Sequence, residues 1–535
     1  MHSFLALSLS LLAVSAQAEP DLRPIMPWRG VHLLSGGHGD MPILRRLIGE
    51  AMPRLDLNVL VLEVDYGFAY KSHPELADGG ALTAEDAHEL AKLCREHKIR
   101  LIPQFQCLGH QSWAKHTGVL LTKYPQFDET PDIPRDNPGI YCRSWCPLHP
   151  EVNPIIFALL DELIEAFEAD ALHVGMDEVF LIGSDQCPRC RGKNKAELFA
   201  KAVNDLHAHL VGEKKLTMLM WGDRFLDGRA TGYGEWEAAT NGTAPAIDLV
   251  PKDIVMCDWH YGYRQSYPSL PIFLDKGFRV WPSGWRDAKA TLALIDDSAK
   301  QRNERMMGHL FTVWTGPTEL SRVLLREPGW EQVGGQPREV AEAVQLGCAR
   351  LRGDAVDTAR LTAAALNGLA TMLLGAAAKP PEGQVLATVS AAELAQGMAE
   401  HAGWQVTPWP ADNPRALLLD YPGGTPSRAG EGCRIDFELT VPAAAKKPSL
   451  QLYLNDTLVS PDWPGYRWYA LRCGDKLLWE EDLALNRHGK EWTTVDLSSV
   501  AKPGEKLKLR LEIIDRQGVH DYGTKALIGP VRLVH

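Results

Sequence analysis

A chain of 535 residues with 45% apolar and 23% charged side chains can bury two or three cores, so a large domain with a smaller companion is expected. The formal net charge of −12 is spread without a basic stripe, which argues against nucleic acid or anionic lipid as the main partner and favours a neutral or polar small molecule.

In chain order, Phe4 to Val14 form an apolar run of leader length, followed by Ala16, Gln17 and Ala18, an A-x-A cleavage pattern. Export to the periplasm or medium is expected, with residues 1–18 removed, although only His2 precedes the run where Lys or Arg is usual. No later stretch approaches the roughly 18 to 20 uninterrupted apolar residues of a membrane helix, so the mature chain is not expected to be embedded in a membrane.

From Arg29 to about Gly316, short apolar runs alternate with helical patterns, the mark of parallel βα units. The runs are Gly30–Leu34, Val59–Val64, Arg100–Phe105, Ala171–Gly175, Leu216–Trp221, Ile254–Trp259, Phe278–Trp281 and Leu310–Trp314, and a closed (β/α)8 TIM barrel is the simplest architecture for them. Between them, Thr83 is a plausible N-cap with Asp86 three residues on. The spacing of Ile155, Ile156, Leu159, Leu160, Leu163, Ile164 and Phe167 gives a helical stripe over Asn153–Phe167. Val340 to Ala377 reads as one or two closing helices.

After the breaker Lys379, Pro380, Pro381 the pattern changes to short strands: Ile435–Val441, Leu450–Leu454, Trp468–Arg472, Lys476–Trp479, Trp492–Leu497, Leu507–Ile514 and Val531–Val534. The expected organisation is α/β: a leader over 1–18, a catalytic barrel with closing helices over 19–380, and a β-sandwich over 381–535. The sandwich is either a carbohydrate-binding module, with Trp463 and Trp468 as its face, or an appendage packed on the barrel.

Of ten cysteines, Cys142 with Cys146 and Cys187 with Cys190 form close pairs, which read either as two local disulfides or as one four-thiolate structural zinc site. Cys94, Cys107, Cys257, Cys348, Cys433 and Cys473 read as buried small hydrophobes. No cofactor is expected, and the oligomeric state is open.

The reacting groups of a TIM barrel sit at the C-terminal ends of its strands. The fourth run ends His173, Val174, Gly175, Met176, Asp177, Glu178, and strand alternation would put His173, Gly175 and Asp177 on one face. Two adjacent carboxylates there can divide the work of acid and stabiliser once their surroundings push their pKa values apart. The second run ends in Glu63, Asp65 and Tyr66; the third carries Gln104, Gln106, Gly109 and His110; the fifth ends Trp221, Gly222, Asp223. The sixth supplies Asp258, Trp259, His260 and Tyr261, the seventh Trp281 and Trp285, the eighth Trp314. Trp at four consecutive strand ends suits a sugar pocket, where aromatic faces cover a pyranose and carboxylates or amides fix its hydroxyls.

These residues resemble glycoside hydrolase family 20, the β-N-acetylhexosaminidases, over roughly Arg29 to Gly316, and are most like its hexosaminidase D-like members in HVGMDEVFLIG (His173–Gly183) and PQFQCLGH (Pro103–His110). The resemblance implies retaining removal of terminal β-linked GalNAc or GlcNAc through an oxazolinium intermediate, with Glu178 as general acid/base and Asp177 orienting the substrate's 2-acetamido group. It makes Trp221, Trp259 and Trp314 walls of the sugar subsite and Tyr261 the hydroxyl that bonds the acetamido oxygen. Glu63, Asp65, His110, His173, Asp223 and Trp285 are the other expected substrate-binding residues. Three departures stand out: Arg29–Ser35 (RGVHLLS) lacks an Asp-x-x-Arg, Met176 replaces a second glycine, and Gly316 stands where an acidic residue is common. The separate domain that often precedes the barrel is expected to be missing.

Two other readings compete. A catalytically silent sugar-binding protein would keep the pocket and lose rate through the first- and eighth-strand changes, against which both Asp177 and Glu178 are retained. A metal-dependent barrel hydrolase would use His110, His173, Asp177 and the paired cysteines, but His173 is better read as a hydrogen-bonded core group.

Overall fold

The computed structural model describes residues 19–113, 115–301, 303–356, 381–400, 403–409, 416–421, 428–456, 465, 467–482, 491–517 and 524–535. The expected leader, the end of the expected closing helices and Trp463 lie outside them. Eight parallel strands close into a barrel: β1 (Trp28–Leu34), β2 (Val59–Glu63), β3 (Arg100–Cys107), β4 (Ala171–Gly175), β5 (Thr217–Trp221), β6 (Val255–Trp259), β7 (Arg279–Gly284) and β8 (Gly308–Phe311), with β8 pairing back onto β1. Each coincides with a run read from the sequence, because strands covered on both faces must be nearly all apolar. The differences are local. Pro282 interrupts the seventh run, yet the strand continues to Gly284, and β8 ends at Phe311, with Thr312 N still donating to Gly284 O at 2.8 Å, so Trp314 lies in the loop beyond.

Helix α1 (Ala84–Glu96) begins with a full capping box: Thr83 accepts from Asp86 N, and the Asp86 carboxylate accepts from Thr83 N. Helix α2 (Val152–Ala166) buries Ile156, Leu159, Leu160 and Leu163, side chains worth about 1.5–3 kcal/mol each when fully removed from water. Helix α3 (Gly335–Arg352) starts before the expected Val340 and ends at Gly353, whose φ of 81° provides the left-handed cap.

One apolar cluster lies between barrel and helices, and a second fills the barrel with Val61, Ile102, Leu219, Trp221, Val255, Trp281 and Leu310. Trp281 does not stand at a strand end. It is fully buried, edge-on to Trp28 at 5.1 Å and so close to Gly30 that a Cβ there would lie 2.3 Å from its ring. Of the two tryptophans expected at the end of the seventh strand, Trp281 thus belongs to the barrel core, and Trp285, directly after β7, holds the strand-end position.

The C-terminal region has its own core and two antiparallel sheets. Its strands are β9 (Val385–Val389), β10 (Met398–Glu400), β11 (Gln405–Trp409), β12 (Ala416–Tyr421), β13 (Gly432–Thr440), β14 (Ser449–Asp456), β15 (Arg467–Cys473), β16 (Lys476–Asp482), β17 (Glu491–Asp496), β18 (Lys506–Asp515), β19 (Thr524–Ile528) and β20 (Val531–Val534). One sheet has the order β10-β13-β18-β15-β16. In the other, β14 pairs with β17 on one edge and with β20 and β19 on the other, β9 and β12-β11 completing the flanks. The face of Trp468 is covered by the Arg516 guanidinium, 4.0 Å from the ring centroid. No helix among the described residues is long and apolar enough to cross a membrane.

Candidate active site

The site begins where β3 and β4 part. Gln104 pairs with His173 and Cys107 with Gly175, so β3 spends three residues against two on β4. Such an extra residue re-aims side chains. Here Gln106 donates its backbone N–H to Asp65 Oδ1 at 2.6 Å and its side-chain amide to Asp177 Oδ1. Strand alternation does not run through to Asp177 as expected, because Gly175, Met176 and Glu178 all adopt positive φ (64°, 70° and 50°). Asp65, Leu108 and His110 do so as well (46°, 63° and 53°). Non-glycine residues in the left-handed region carry strain of about 1–2 kcal/mol each and cluster at functional sites.

Gly175 is required twice over. Its φ is positive, and an added Cβ would fall 1.8 Å from Gln106 Oε1. Gly175→Ala is therefore expected to destabilise the protein by about 1–2 kcal/mol through the backbone alone, and to lower kcat by moving Gln106 off Asp177. Thermal unfolding and steady-state kinetics read the two effects; a variant with wild-type Tm and kcat would refute this account of the turn.

Asp177 and Glu178 are 7% and 9% exposed. His110 Nε2 lies 3.4 Å from Asp177 Oδ2 and 3.3 Å from Glu178 Oε2, bridging the pair. Burial alone would raise the Asp177 pKa, but the His110 charge and the hydrogen bonds from His110 and Gln106 outweigh it and hold it below the ordinary aspartate value. Burial likewise opposes a charged His110, and Asp177 overcomes it, raising the imidazole well above the usual histidine value.

Glu178 is held from behind. Asp223 Oδ2 accepts from Glu178 N at 2.9 Å and from Arg224 Nε at 2.5 Å, while Asp223 Oδ1 accepts from Trp259 Nε1 at 3.3 Å. Through these bonds Asp223 positions the Glu178 backbone and the Trp259 ring.

The aromatic wall assembles from several strand ends. Tyr261 Oη accepts from Trp314 Nε1 at 2.8 Å, and its ring leans on Trp259 and Trp285 at centroid distances of 4.9 and 5.1 Å. Glu237 orients this residue by accepting from Tyr261 N at 2.9 Å and from His260 Nδ1 at 2.8 Å. Trp221 lies below, 5.9 Å from Trp314 and 4.6 Å from His173. His173 is fully buried, and its Nδ1 accepts from Gly175 N at 3.1 Å. Burial and neighbouring His32 push its pKa well down, so it is a neutral support beneath the carboxylates.

Glu63 and Asp65 are half-buried and hydrogen-bonded to each other. Glu63 Oε2 also meets His32 Nε2 at 2.9 Å and Gln104 Nε2 at 2.5 Å. Burial, then the Asp177 charge, pushes Glu63 up to about 7. Burial and Glu63 push Asp65 well above its usual value, so near neutrality the pair can both donate and accept.

Of the residues expected from sequence, Asp177, Glu178, His110, Tyr261, Trp259, Trp314, Trp285, Trp221, Glu63 and Asp65 belong to one connected cluster. Missed were Gln106 as the partner of Asp177, Glu237, and Tyr141, whose ring stands edge-on to His110 at 5.9 Å. Trp113 was also missed; it is 62% exposed and stacks on His110 at 6.1 Å. Tyr141 and Glu237 lie on irregular loops, and Trp113 in a two-residue strand paired with His116–Thr117, all too short or irregular for periodicity to mark them.

The four paired cysteines do not come together. Cys142 turns toward the Asp177–Glu178 turn, its thiol donating to the Glu178 carbonyl at 3.4 Å, and Glu129 stands in its place beside Cys146, Cys187 and Cys190. All ten cysteines are free thiols. Among the described residues two groups could hold a metal, this one and His110, Asp177 and Glu178.

Residues 62–316 match the catalytic domain of glycosyl hydrolase family 20. A β-hexosaminidase of Akkermansia muciniphila is 30% identical over 287 residues, covering 48% of this chain and 54% of that protein. The β-hexosaminidase subunit beta of Felis catus is 28% identical over 228 residues, covering 38% and 40%. The chain thus spans about half or less of the length of these relatives. A chitobiase structure from Flavobacterium johnsoniae aligns over 65% of this chain and 53% of its own with 21% identity and a TM-score of 0.44.

Proposed function

We propose that this chain, whose barrel belongs to glycosyl hydrolase family 20, removes terminal β-linked N-acetylhexosamine, GalNAc or GlcNAc, from a glycan with retention of configuration. The observation that carries the reading is the buried Asp177–Glu178 pair, bridged by His110 and facing an aromatic wall at the barrel mouth. The acetamido carbonyl oxygen attacks the anomeric carbon as Glu178 gives its proton to the departing glycosidic oxygen, and Asp177 stabilises the positive charge that develops on the acetamido nitrogen. Glu178 then takes a proton from the water that opens the oxazolinium ion. The Tyr261 hydroxyl, fixed by Trp314, donates to the acetamido oxygen, and Trp221, Trp259 and Trp314 enclose the ring. The run Phe4–Val14 and the Ala16–Ala18 pattern support export before this activity is exercised.

A panel of aryl 2-acetamido-2-deoxy-β-glycosides, gluco and galacto, assayed beside the 2-hydroxy glycosides, tests the substrate class. Turnover of at least one N-acetyl substrate is expected. Comparable or better turnover of plain β-glucosides or β-galactosides would overturn the proposal.

A further inference from the structure

We propose that Glu129, Cys146, Cys187 and Cys190 form a structural zinc site that ties the loop after β3 to the loop after β4. Their four ligand atoms lie within 4.8 Å of one another and all four residues are buried. Cys146 Sγ is 3.4 Å from both Cys190 Sγ and Cys187 Sγ. Ligands on a tetrahedral zinc with Zn–S of about 2.3 Å stand about 3.8 Å apart, so the cluster needs only a small adjustment to receive the ion.

The surroundings are built for four ligands. Cys187 and Cys190 form a C-x-x-C turn, with Cys187 N donating to Ser184 O at 3.1 Å and Arg191 N to Cys187 O at 3.0 Å. The other two come from the preceding loop, where Asp128 and Trp145 pair antiparallel; Glu129, opposite Ser144, and Cys146, opposite Phe127, flank that bridge diagonally on one face. Glu129 is completely buried. Its Oε1 accepts from Ser184 N at 2.9 Å, but its Oε2 faces the thiols without a well-formed hydrogen bond. A carboxylate oxygen in that position is costly unless something compensates it. A disulfide would join only two of the four converging groups, whereas a zinc ion uses all four.

Three thiolates and one carboxylate select zinc over hard cations such as calcium or magnesium, which prefer all-oxygen sites. Binding releases the three thiol protons to solvent, and no electron is transferred. With four protein ligands the ion has no open position, which suits a structural role. It would fasten the loop that carries His110 and Tyr141 to the one that leaves Glu178.

The test uses the full chain purified without chelator. Elemental analysis is expected to find about one zinc per chain, and titrating the folded wild-type protein with an organomercurial should release it, as read by a metallochromic dye. Cys187→Ser/Cys190→Ser should lose it, Glu129→Gln should bind it at least about tenfold more weakly, and Cys142→Ala should keep it. Alkylation in denaturant followed by peptide mapping should find Cys146, Cys187 and Cys190 reduced. A disulfide joining any two of them, wild-type protein that takes up no zinc on refolding with zinc chloride, or zinc retained by the double variant would each overturn the proposal.

Discussion

Glu178→Gln is expected to lower kcat/KM by about 10²–10⁴-fold on substrates with a basic leaving group and by far less on activated aryl glycosides, because proton donation matters most when the departing oxygen is basic. The substitution preserves shape, and the groups that hold this turn act on the backbone: Glu178 N donates to Asp223, and Cys142 donates to the Glu178 carbonyl. Gln should therefore occupy the same place and lack only the transferable proton. Its partner His110 sits between two carboxylates in the wild type and one in the variant, so the Asp177–His110 pair survives. Kinetics on a series of aryl glycosides of graded leaving-group pKa decide the matter. A loss of the same size across the series, with unchanged Tm, would remove Glu178 from the acid role.

The barrel was legible because its strands obey one simple condition. A strand covered by helices outside and by layered side chains inside has no face for polar residues, and eight such runs can be read directly. Errors arose where chemistry and hydrogen bonding diverge. Val313 and Trp314 prolong an apolar run after pairing has ended, whereas Pro282 breaks one that the strand ignores. In the C-terminal region, Ala416–Tyr421 and Thr524–Ile528 went unread, although each pairs with neighbours along its whole length.

The site was legible in proportion to its distance from a strand. Asp177, Trp221 and Trp259 can be placed by counting from a strand end, but Glu237 is positioned by a long loop and reveals itself only through Tyr261 N and His260. Grouping cysteines by spacing selected Cys142, four residues from Cys146. Convergence is set instead by the backbone bridge that delivers Glu129, which no spacing rule contains. The departure at Met176 is explained by the same geometry: its φ of 70° is the conformation a glycine would take freely, and this chain holds a buried methionine there at some cost in strain.

Asp177→Asn is expected to lower kcat by about 10²–10³-fold with a much smaller change in KM, comparable with losing a preorganised group at a developing charge. The reason lies in what surrounds the carboxylate. Gln106 donates to Oδ1, His110 faces Oδ2, and together they keep Asp177 ionised despite burial. An amide NH₂ must point at one of these two donors, so the variant loses both the negative charge and one of its supports. If the substrate's own acetamido group is the nucleophile, that charge is needed only as the oxazolinium ion forms, which is why kcat should bear the loss. The same mechanism requires that the released sugar keep the β configuration by NMR, that a thiazoline analogue of the intermediate inhibit the wild type strongly, and that it bind Asp177→Asn far more weakly. An inverted product, or an Asp177→Asn variant that turns over N-acetyl substrates at the wild-type rate, would show that the pair works by another route.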